Sequence, residues 1–346
     1  MSLHSEAPLR AAGGEGSLAW RAQRPAWLGL ALLGLSLLLV AAGTAVGSLG
    51  WEPLWGRGEA DATIVWDIRL PRSLGAWLAG ALLGLAGAVA QGLFRNPLAD
   101  PYLMGSATGA AFGVAVLLVL TGSSPGAVSG ALAHVGLAGA GFLGATAAVL
   151  VALVLARGVQ HTLRLLLSGV IVGVVFGALA ALVMFWAPDV MRSMQAFLLG
   201  TTGFLGWGSV ALLAGVGLLA LLVAAALSPA LDALALGEAT ATSLGVPLQP
   251  VRITLVGLVA LATGAAVAQV GLIAFIGLVA PHVVRAAVQP THRWLLPLSG
   301  LAGGVLLLAA DVLSRWLLAP QELPVGVLTA VLGGGYLLWL MHRRPS

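Results

Sequence analysis

The chain has 346 residues, of which 60% are hydrophobic and only 8% are charged, with a formal net charge of +4. Soluble domains carry about 25% charged residues, so this composition excludes a water-soluble fold for most of the chain. Every basic residue is Arg and Cys is absent, which excludes a Walker A lysine, disulfides and Cys-ligated metal sites. We therefore expect lipid to be the main solvent of the chain.

Ten apolar runs follow one another along the chain, and a run of about 20 residues crosses a bilayer as a helix. The first run is longer than the apolar segment of a signal peptide, and we interpret it as a retained span. The third run is rich in Gly and the eighth is short. The runs cover residues 26–49, 70–93, 101–120, 127–156, 163–186, 207–227, 251–270, 273–287, 294–317 and 323–342. The sequence thus predicts an all-α polytopic membrane protein with about ten transmembrane helices.

The short loops leave room for one transmembrane domain, which we place at residues 26–342, between tails at 1–25 and 343–346. With the N-terminus in the cytoplasm, eleven Arg residues lie inside and five outside. This distribution follows the positive-inside rule. An even number of spans also puts both basic termini on the cytoplasmic side of a bacterial inner membrane.

Two segments between the spans have their own character. Residues 187–206 predict a short amphipathic helix on the outer surface. Residues 228–250 form the longest internal cytoplasmic segment, and they predict two short helices with a turn near Gly237. We interpret this second segment as a docking surface for a cytoplasmic partner.

Glycines recur at a spacing of four within several spans. Such stripes of small residues let helices approach closely in lipid. The stripes are Gly80 and Gly84, then Gly105, Gly109 and Gly113, then Gly169, Gly173 and Gly177. They predict a compact helical bundle and carry no information about a substrate.

Ionisable residues at membrane depth indicate function or a structural pair. Asp311 and Arg315 are four residues apart, which places them on one helix face where they can pair. Arg69 and Arg72 flank the start of the second span at its outer end. From charge alone, these outer Arg residues fit equally well an acidic partner or lipid headgroups. The six His residues show no metal-ligand spacing, and no catalytic constellation is visible, so we expect neither an enzyme nor a cofactor site.

Several strings resemble the FecCD/BtuC-type permeases, which belong to the type II ATP-binding cassette (ABC) importers of ferric siderophores, haem and cobalamin. These strings are RLPRSLGAWLAGALLGLAGAVAQGLFRNPLADPYLMG at 69–105, LGEATATSLGV at 236–246, GLIAFIGLVAPHVVR at 271–285, HRWLLPLSGLAGGVLLLAADVLSR at 292–315 and ELPVGVLTAVLGG at 322–334. The likeness extends from about residue 26 to 342. One departure is the Gly333–Tyr336 stretch, where many members have Pro followed by aromatics; we expect it to alter packing in the last helix.

The resemblance implies a homodimer with two cytoplasmic ATPase subunits and one periplasmic binding protein, embedded in lipid and without nucleic acid. It implies that Arg69, Arg72 and Arg315 dock the binding protein. The 228–250 segment would form the ATPase-coupling helices, with contacts at Leu236, Gly237, Ala241, Leu244 and Gly245. It also implies a cytoplasmic gate at Asn96, Leu98 and Thr162, and a path lined by the fifth span around Ser168–Phe176.

A secondary transporter driven by ions is the main alternative class. Such proteins bury carboxylates or broken-helix ion sites near the membrane midplane. Asp311 is the only acidic residue well within an apolar span here, and we expect Arg315 to occupy it. The cargo stays open among haem, a ferric siderophore and cobalamin, because no residue recognisably coordinates iron or cobalt.

Overall fold

The computed structural model describes residues 12–47, 50–51, 59–122, 131–156 and 162–343. Thirteen α-helices lie within these ranges: α1 Ala12–Ala45, α2 Glu59–Ile64, α3 Leu70–Phe94, α4 Ser106–Leu120, α5 Ala131–Leu155, α6 Thr162–Trp186, α7 Pro188–Leu199, α8 Trp207–Ala235, α9 Glu238–Ser243, α10 Leu248–Val270, α11 Ile276–Val288, α12 His292–Trp316 and α13 Val325–Arg343. A π-helical turn, Val65–Arg69, joins α2 to α3, and a 3-10 helix, Pro101–Met104, precedes α4. A two-stranded antiparallel hairpin, β1 Val46–Gly47 and β2 Gly50–Trp51, follows α1.

Seven of the described helices are long and apolar enough to cross a membrane, and three shorter apolar helices accompany them. The seven long helices are α1, α3, α5, α6, α8, α10 and α12, and the short ones are α4, α11 and α13. They coincide with the ten predicted spans, which confirms the all-α polytopic fold. The two runs singled out from sequence as Gly-rich and short, the third and the eighth, correspond to α4 and α11.

Three helices form the interior of the bundle and others surround it. In α3, 78% of the most apolar stretch is buried inside the protein, against 17% in α6. The most apolar stretches of α10 and α12 are mostly buried, as in α3, whereas those of α1 and α8 are mostly exposed, as in α6. The outer helices present their apolar side chains outward, as helices facing lipid do.

The predicted glycine stripes lie at close contacts between helices. A Cβ at Gly84 would overlap the carbonyl oxygen of Ser299, so α3 and α12 meet backbone to backbone. The α4–α5 contact repeats this arrangement between Gly109 and Gly144. Gly173 faces Gly105 across a Cβ-to-Cα distance of 3.5 Å. The structure therefore confirms close packing at all three stripes.

Two non-helical segments contact each other inside the bundle: residues 271–274 and the loop before α4. Residues 271–274 are extended between α10 and α11, and Phe275 turns the chain with φ +69°. The predicted eighth span began at residue 273, but α11 begins only at Ile276. Pro101 packs against Gly277, and the Tyr102 hydroxyl donates a 3.1 Å hydrogen bond to the Ile273 carbonyl. The loop before α4 is thereby fastened to this extended segment.

Other boundaries differ from the predicted ones. The first helix begins at Ala12, well before the predicted span, and ends at Ala45, where the hairpin begins. The helix α8 continues through Pro229 to Ala235, so the first of the two short helices predicted at 228–250 is the end of α8. The turn at Gly237 is present, with φ +111°.

The bundle has two ends that are named here by their residues. The Arg72 end holds the start of α3, the end of α12 and the start of α13. The α9 end holds the end of α3, α9 and the start of α12. Gly29 packs on Leu298 and Gly43 lies by Arg315, so α1 runs from the α9 end to the Arg72 end. The last helix returns to the α9 end, which places both outermost helix termini there.

Candidate functional site

An ionic cluster ties several elements together at the Arg72 end. Asp311 is completely buried on α12 and is bonded through both carboxylate oxygens. Arg72 Nε and Nη2 each donate to Oδ1 at 3.2 Å, and the Thr202 hydroxyl donates to the same oxygen. Arg315 Nη2 donates to Oδ2 at 2.6 Å. These residues, with Glu322, are called the Arg72 cluster below.

Arg315 lies inside this cluster. Its Nη1 donates to the backbone carbonyls of Gly43 at 2.8 Å and Val46 at 3.2 Å. Its guanidinium therefore joins α12 to the end of α1 and to the hairpin. A buried cation with a carboxylate and two carbonyl partners is compensated for the loss of water. In this structure Arg315 holds elements together and does not face the outer solvent.

Arg72 connects the buried carboxylate with the surface. Besides Asp311 it contacts Glu322 through a bidentate pair, with Nη1–Oε1 at 3.0 Å and Nη2–Oε2 at 2.9 Å. The Glu322 side chain is 39% exposed. Arg69 is half-buried at the π-helical turn, and its Nη1 donates to the Thr44 carbonyl at 3.3 Å. The three Arg residues predicted to dock a partner thus lie at one end but differ in exposure.

The α9 end carries the predicted coupling residues. Leu236 is 69% exposed and Leu244 is 63% exposed, at either end of α9. Ala241 is buried in the main hydrophobic core and attaches α9 to the bundle. Gly237 and Gly245 both have positive φ, a conformation that Gly adopts without steric cost. Two glycine turns therefore hold α9 so that it presents two leucines to solvent.

The predicted gate residues begin just after α3. Arg95 ends that helix in the left-handed conformation, with φ +49°. The Asn96 side chain accepts a 2.9 Å hydrogen bond from the Leu98 N–H, which forms a tight turn, and Leu98 is exposed. Thr162 is the first residue of α6, and its side chain lies outside the described residues.

The same loop ends at a buried carboxylate. Asp100 accepts a 2.7 Å hydrogen bond from the Tyr102 N–H and caps the 3-10 helix. Burial raises the pKa of the Asp100 carboxyl above its ordinary value, and the hydrogen bond from Tyr102 partly opposes this change.

Sequence reasoning missed several polar contacts at the α9 end. Glu238 pairs with Arg252 at 2.5 Å and with Arg95 at 4.0 Å. Asp232 accepts from the His292 N–H at 3.1 Å and lies 2.6 Å from His292 Nδ1, linking α8 to the start of α12. The partners are 60 residues apart for Asp232 and His292, and Glu238 is 143 residues from Arg95 and 14 from Arg252. No local spacing in the sequence therefore signals these pairs.

The described side chains include no group of three or more His, Cys, Asp or Glu arranged to hold a metal ion. The Arg72 end carries an ionic cluster and the α9 end carries an exposed apolar tip. The helices between the two ends pack closely at glycines. Ten apolar helices with this arrangement define a polytopic membrane protein.

Comparison with known proteins gives the family. The chain belongs to the FecCD transport family, whose profile matches residues 28–343. It is 38% identical over 329 residues to the hemin transport system permease protein HmuU of Yersinia pestis, covering 94% of this chain and 97% of that protein. It is 40% identical over 317 residues to the vitamin B12 import system permease protein BtuC of Salmonella typhimurium, covering 91% and 93%.

Solved structures agree with the fold. One, described as an inward-facing metal-chelate type ABC transporter, has a TM-score of 0.78 at 31% identity, covering 91% of this chain and 100% of that chain. PsaBC of Streptococcus pneumoniae shares the fold more distantly, with a TM-score of 0.52 at 21% identity over 77% of this chain and 89% of that one.

Proposed function

We propose that this chain is the transmembrane subunit of an ABC importer that moves haem, a ferric siderophore or cobalamin from the periplasm to the cytoplasm. A FecCD family profile over residues 28–343 and relatives named for hemin and vitamin B12 transport support this class of cargo. Haem or a ferric siderophore ranks before cobalamin in our proposal. The transport domain is residues 26–342, flanked by two short cytoplasmic tails.

The observation that carries the proposal is the exposed apolar tip of α9. Leu236 and Leu244 are exposed on either side of α9, a six-residue helix that is too short to cross a bilayer. Exposed leucines at the end of a bundle, rimmed by polar residues, are typical of a protein-docking surface. We infer that the partner is a cytoplasmic ATPase and that α9 is the coupling helix, with Ala241, Gly237 and Gly245 holding its shape.

ATP hydrolysis belongs on that separate subunit. The chain has no Lys and therefore cannot supply the phosphate-binding lysine of a Walker A loop. Energy then enters this chain as movement of α9, and alternating access follows from rigid-body motion of the helices.

A second copy of the chain completes the transport path in this proposal. The outer face of α6 exposes a row of apolar side chains that includes Ile171, Val174 and Phe185. Lipid covers such a face in a monomer, and a second copy covers it in a dimer. We propose the homodimer, with the fifth span, which is α6, lining the path around Ser168–Phe176. Two ATPase subunits and one binding protein complete the assembly.

The distribution of Arg supports an orientation. Among the described side chains, the α9 end carries Arg24, Arg95, Arg164, Arg252, Arg285 and Arg293, and the Arg72 end carries Arg69, Arg72, Arg192 and Arg315. By the positive-inside rule the α9 end faces the cytoplasm. Both chain termini are then cytoplasmic, and the Arg72 end faces the periplasm of a bacterial inner membrane.

Docking of the binding protein is proposed for the Arg72 end. Arg69 and Arg72 are the contacts nearest the surface, and Arg315 acts through Asp311 by keeping Arg72 in place. Arg69→Glu should weaken binding of the binding protein, with the largest effect at low salt because charge steers the encounter. Arg192→Glu, an exposed Arg on α7 at the same end, is the matched control. Equal affinities of both variants and the unaltered complex would refute the docking role of Arg69.

The cytoplasmic gate is proposed for Asn96, Leu98 and Thr162. The Asn96–Leu98 turn lies at the α9 end and leads directly into the loop that contacts the extended segment. Its position between the tip of α9 and the interior of the bundle supports a gating role.

The structure disfavours an ion-coupled secondary transporter. A proton- or sodium-binding carboxylate must be able to release its partner. Asp311 instead accepts from two guanidinium groups and one hydroxyl, so each of its oxygens already has a cationic partner that an ion would have to displace.

Uptake into proteoliposomes tests the proposed function. The chain is reconstituted with the ATPase and binding protein encoded beside it, and haem, a ferric siderophore and cobalamin are offered in parallel. Transport of one cargo that requires both ATP and the binding protein is the expected result. A folded, assembled complex that hydrolyses ATP without moving any of the three would exclude this cargo class.

A further inference from the structure

One carboxylate lies between three elements at the α9 end. Glu238 is the first residue of α9, and its Oε1 is 2.5 Å from Arg252 Nη2 near the start of α10. The same oxygen is 4.0 Å from Nη2 of Arg95, the residue that ends α3. A single side chain of the coupling helix therefore touches both the next span and the loop that leads to the gate.

The two contacts are unequal in a way that assigns them different roles. The Arg252 side chain is 13% exposed, and its distance is that of a short charge-assisted hydrogen bond. The Arg95 side chain is 44% exposed, and its distance is at the limit of an ion pair. The first contact fixes Glu238 to α10, whereas the second is loose enough to tighten or open when α9 moves.

The backbone around both residues favours this contact. Gly237 has φ +111°, and Arg95 Nη1 lies 3.9 Å from the position that a Cβ on Gly237 would occupy. The Arg95 guanidinium therefore lies over the turn that starts α9. Its own backbone is anchored, because the Arg95 N–H donates to the Gly92 carbonyl of α3 at 3.3 Å and the next N–H, that of Asn96, donates to the Gln91 carbonyl at 3.1 Å.

The chain beyond Arg95 connects this contact with the interior of the bundle. The loop passes through the Asn96–Leu98 turn and reaches Tyr102, whose hydroxyl donates to Ile273 in the extended segment. A displacement of Arg95 is thus applied to a short, hydrogen-bonded loop that has a fixed far end.

We propose that Glu238 is a positioning residue for the gate: its pair with Arg95 transmits movement of α9 to loop 95–100. This inference rests on the proposed function, since it names the loop that receives the ATP-driven movement of α9. The bland alternative is that Glu238 only clamps α9 to α10 through Arg252. An exposed ion pair at 4.0 Å contributes little to stability. Removing Arg95 therefore abolishes the proposed transmission and leaves the clamp to Arg252 intact, which distinguishes the two roles of Glu238.

The test compares Arg95→Ala with Arg95→Lys and with Arg293→Ala, an exposed Arg on α12 at the same end. Each variant is assembled with its ATPase and binding protein in proteoliposomes, and cargo moved per ATP hydrolysed is measured. We expect Arg95→Ala to lower this ratio roughly fivefold while ATP hydrolysis and thermal unfolding stay near those of the unaltered complex. Arg95→Lys should recover most of the ratio, and Arg293→Ala should leave it unchanged.

A double-mutant cycle establishes whether Arg95 acts through Glu238. The Arg95→Ala, Glu238→Gln double variant should lose no more of the ratio than Glu238→Gln alone, because Glu238→Gln already removes the contact through which Arg95 acts, together with the ion pair to Arg252. Independent, multiplying losses would overturn the proposal, as would an unchanged ratio in Arg95→Ala. Failure of the proposed function is distinguishable, because the unaltered complex would then show no ATP-dependent uptake at all.

Discussion

The two ends of the bundle both use Arg–carboxylate pairs, but these pairs are buried at the Arg72 end and largely solvated at the α9 end. At the Arg72 end, two Arg residues close on one buried carboxylate, and the backbone carbonyls of Gly43 and Val46 complete the set. At the α9 end, Glu238 has one tight and one loose guanidinium partner, and two leucines project beside it. The first arrangement fixes helices relative to each other, and the second leaves a helix able to receive force from a partner.

The two ends differ in the burial of their ion pairs more than in the number of their charges, and burial sets how much it costs to open such a pair. Desolvated charges cannot be left without partners, so the Arg72 cluster opens only at a large cost. Solvated pairs exchange for water at little cost, so contacts at the α9 end can change during a transport cycle.

The largest expected effect comes from removing the central carboxylate. Asp311→Asn keeps the shape of the side chain but leaves Arg72 and Arg315 without their shared anion. Breaking a buried ion pair by removing one partner costs about 3–5 kcal/mol. We expect a clearly lower unfolding temperature and yield in detergent, measured by thermal unfolding of the purified chain. An unfolding temperature equal to that of the unaltered chain would mean that the cluster does not stabilise this end.

Charges placed on the tip of α9 should act on binding and leave the fold intact. Leu236→Asp with Leu244→Asp removes two exposed apolar side chains, so the unfolding temperature should change little. Loss of apolar anchors at an interface costs about 2 kcal/mol or more, so ATPase affinity should fall about thirtyfold or more. Co-purification and surface binding measure this loss. Gln289→Asp, at an exposed polar residue that follows α11 at the same end and lies outside the 228–250 segment, is the control. Retained ATPase affinity in the leucine variant would move the docking surface elsewhere.

The smallest effect is expected for the exposed member of the Arg72 cluster. Glu322→Gln removes a partly solvated carboxylate, and such pairs contribute about 0–1 kcal/mol. Thermal unfolding should therefore distinguish Glu322→Gln only slightly from the unaltered chain. A loss as large as that of Asp311→Asn would show that exposure is a poor guide to the energetics of this cluster.

The Asp311–Arg315 pair at the centre of the Arg72 cluster could be predicted from the sequence, but the other contacts of this cluster could not. Asp311 and Arg315 are four apart, and helix geometry alone places them on one face. Arg72 and Thr202 reach the same carboxylate from 239 and 109 residues away. Only the packing of α3 and the 200–206 loop against α12 brings them together, and no local pattern encodes that packing.

Some helix boundaries could likewise be predicted from the sequence, and others could not. Gly237 marks a turn because few other residues adopt its backbone conformation, so its position could be predicted. The extended 271–274 segment is as apolar as the helices around it and contains no Pro, so composition placed it within a span. Gly333 shows how a departure from the family pattern is accommodated: a Cβ there would lie 2.8 Å from Cγ of the Phe275 ring, which ends this extended segment.

The location of the two shortest spans has a consequence for the surrounding bilayer. The helices α4 and α11 have 15 and 13 residues, which corresponds to about 22 Å and 20 Å of rise. Both are shorter than a hydrocarbon core of about 30 Å, and a lipid-facing helix of that length would force the membrane to thin. Both are largely enclosed by neighbouring helices, and longer helices such as α1 and α8 present the lipid boundary. The protein therefore contains broken, short helices without imposing a hydrophobic mismatch on its membrane, and lipid chain length should affect it no more than a bundle of full-length spans.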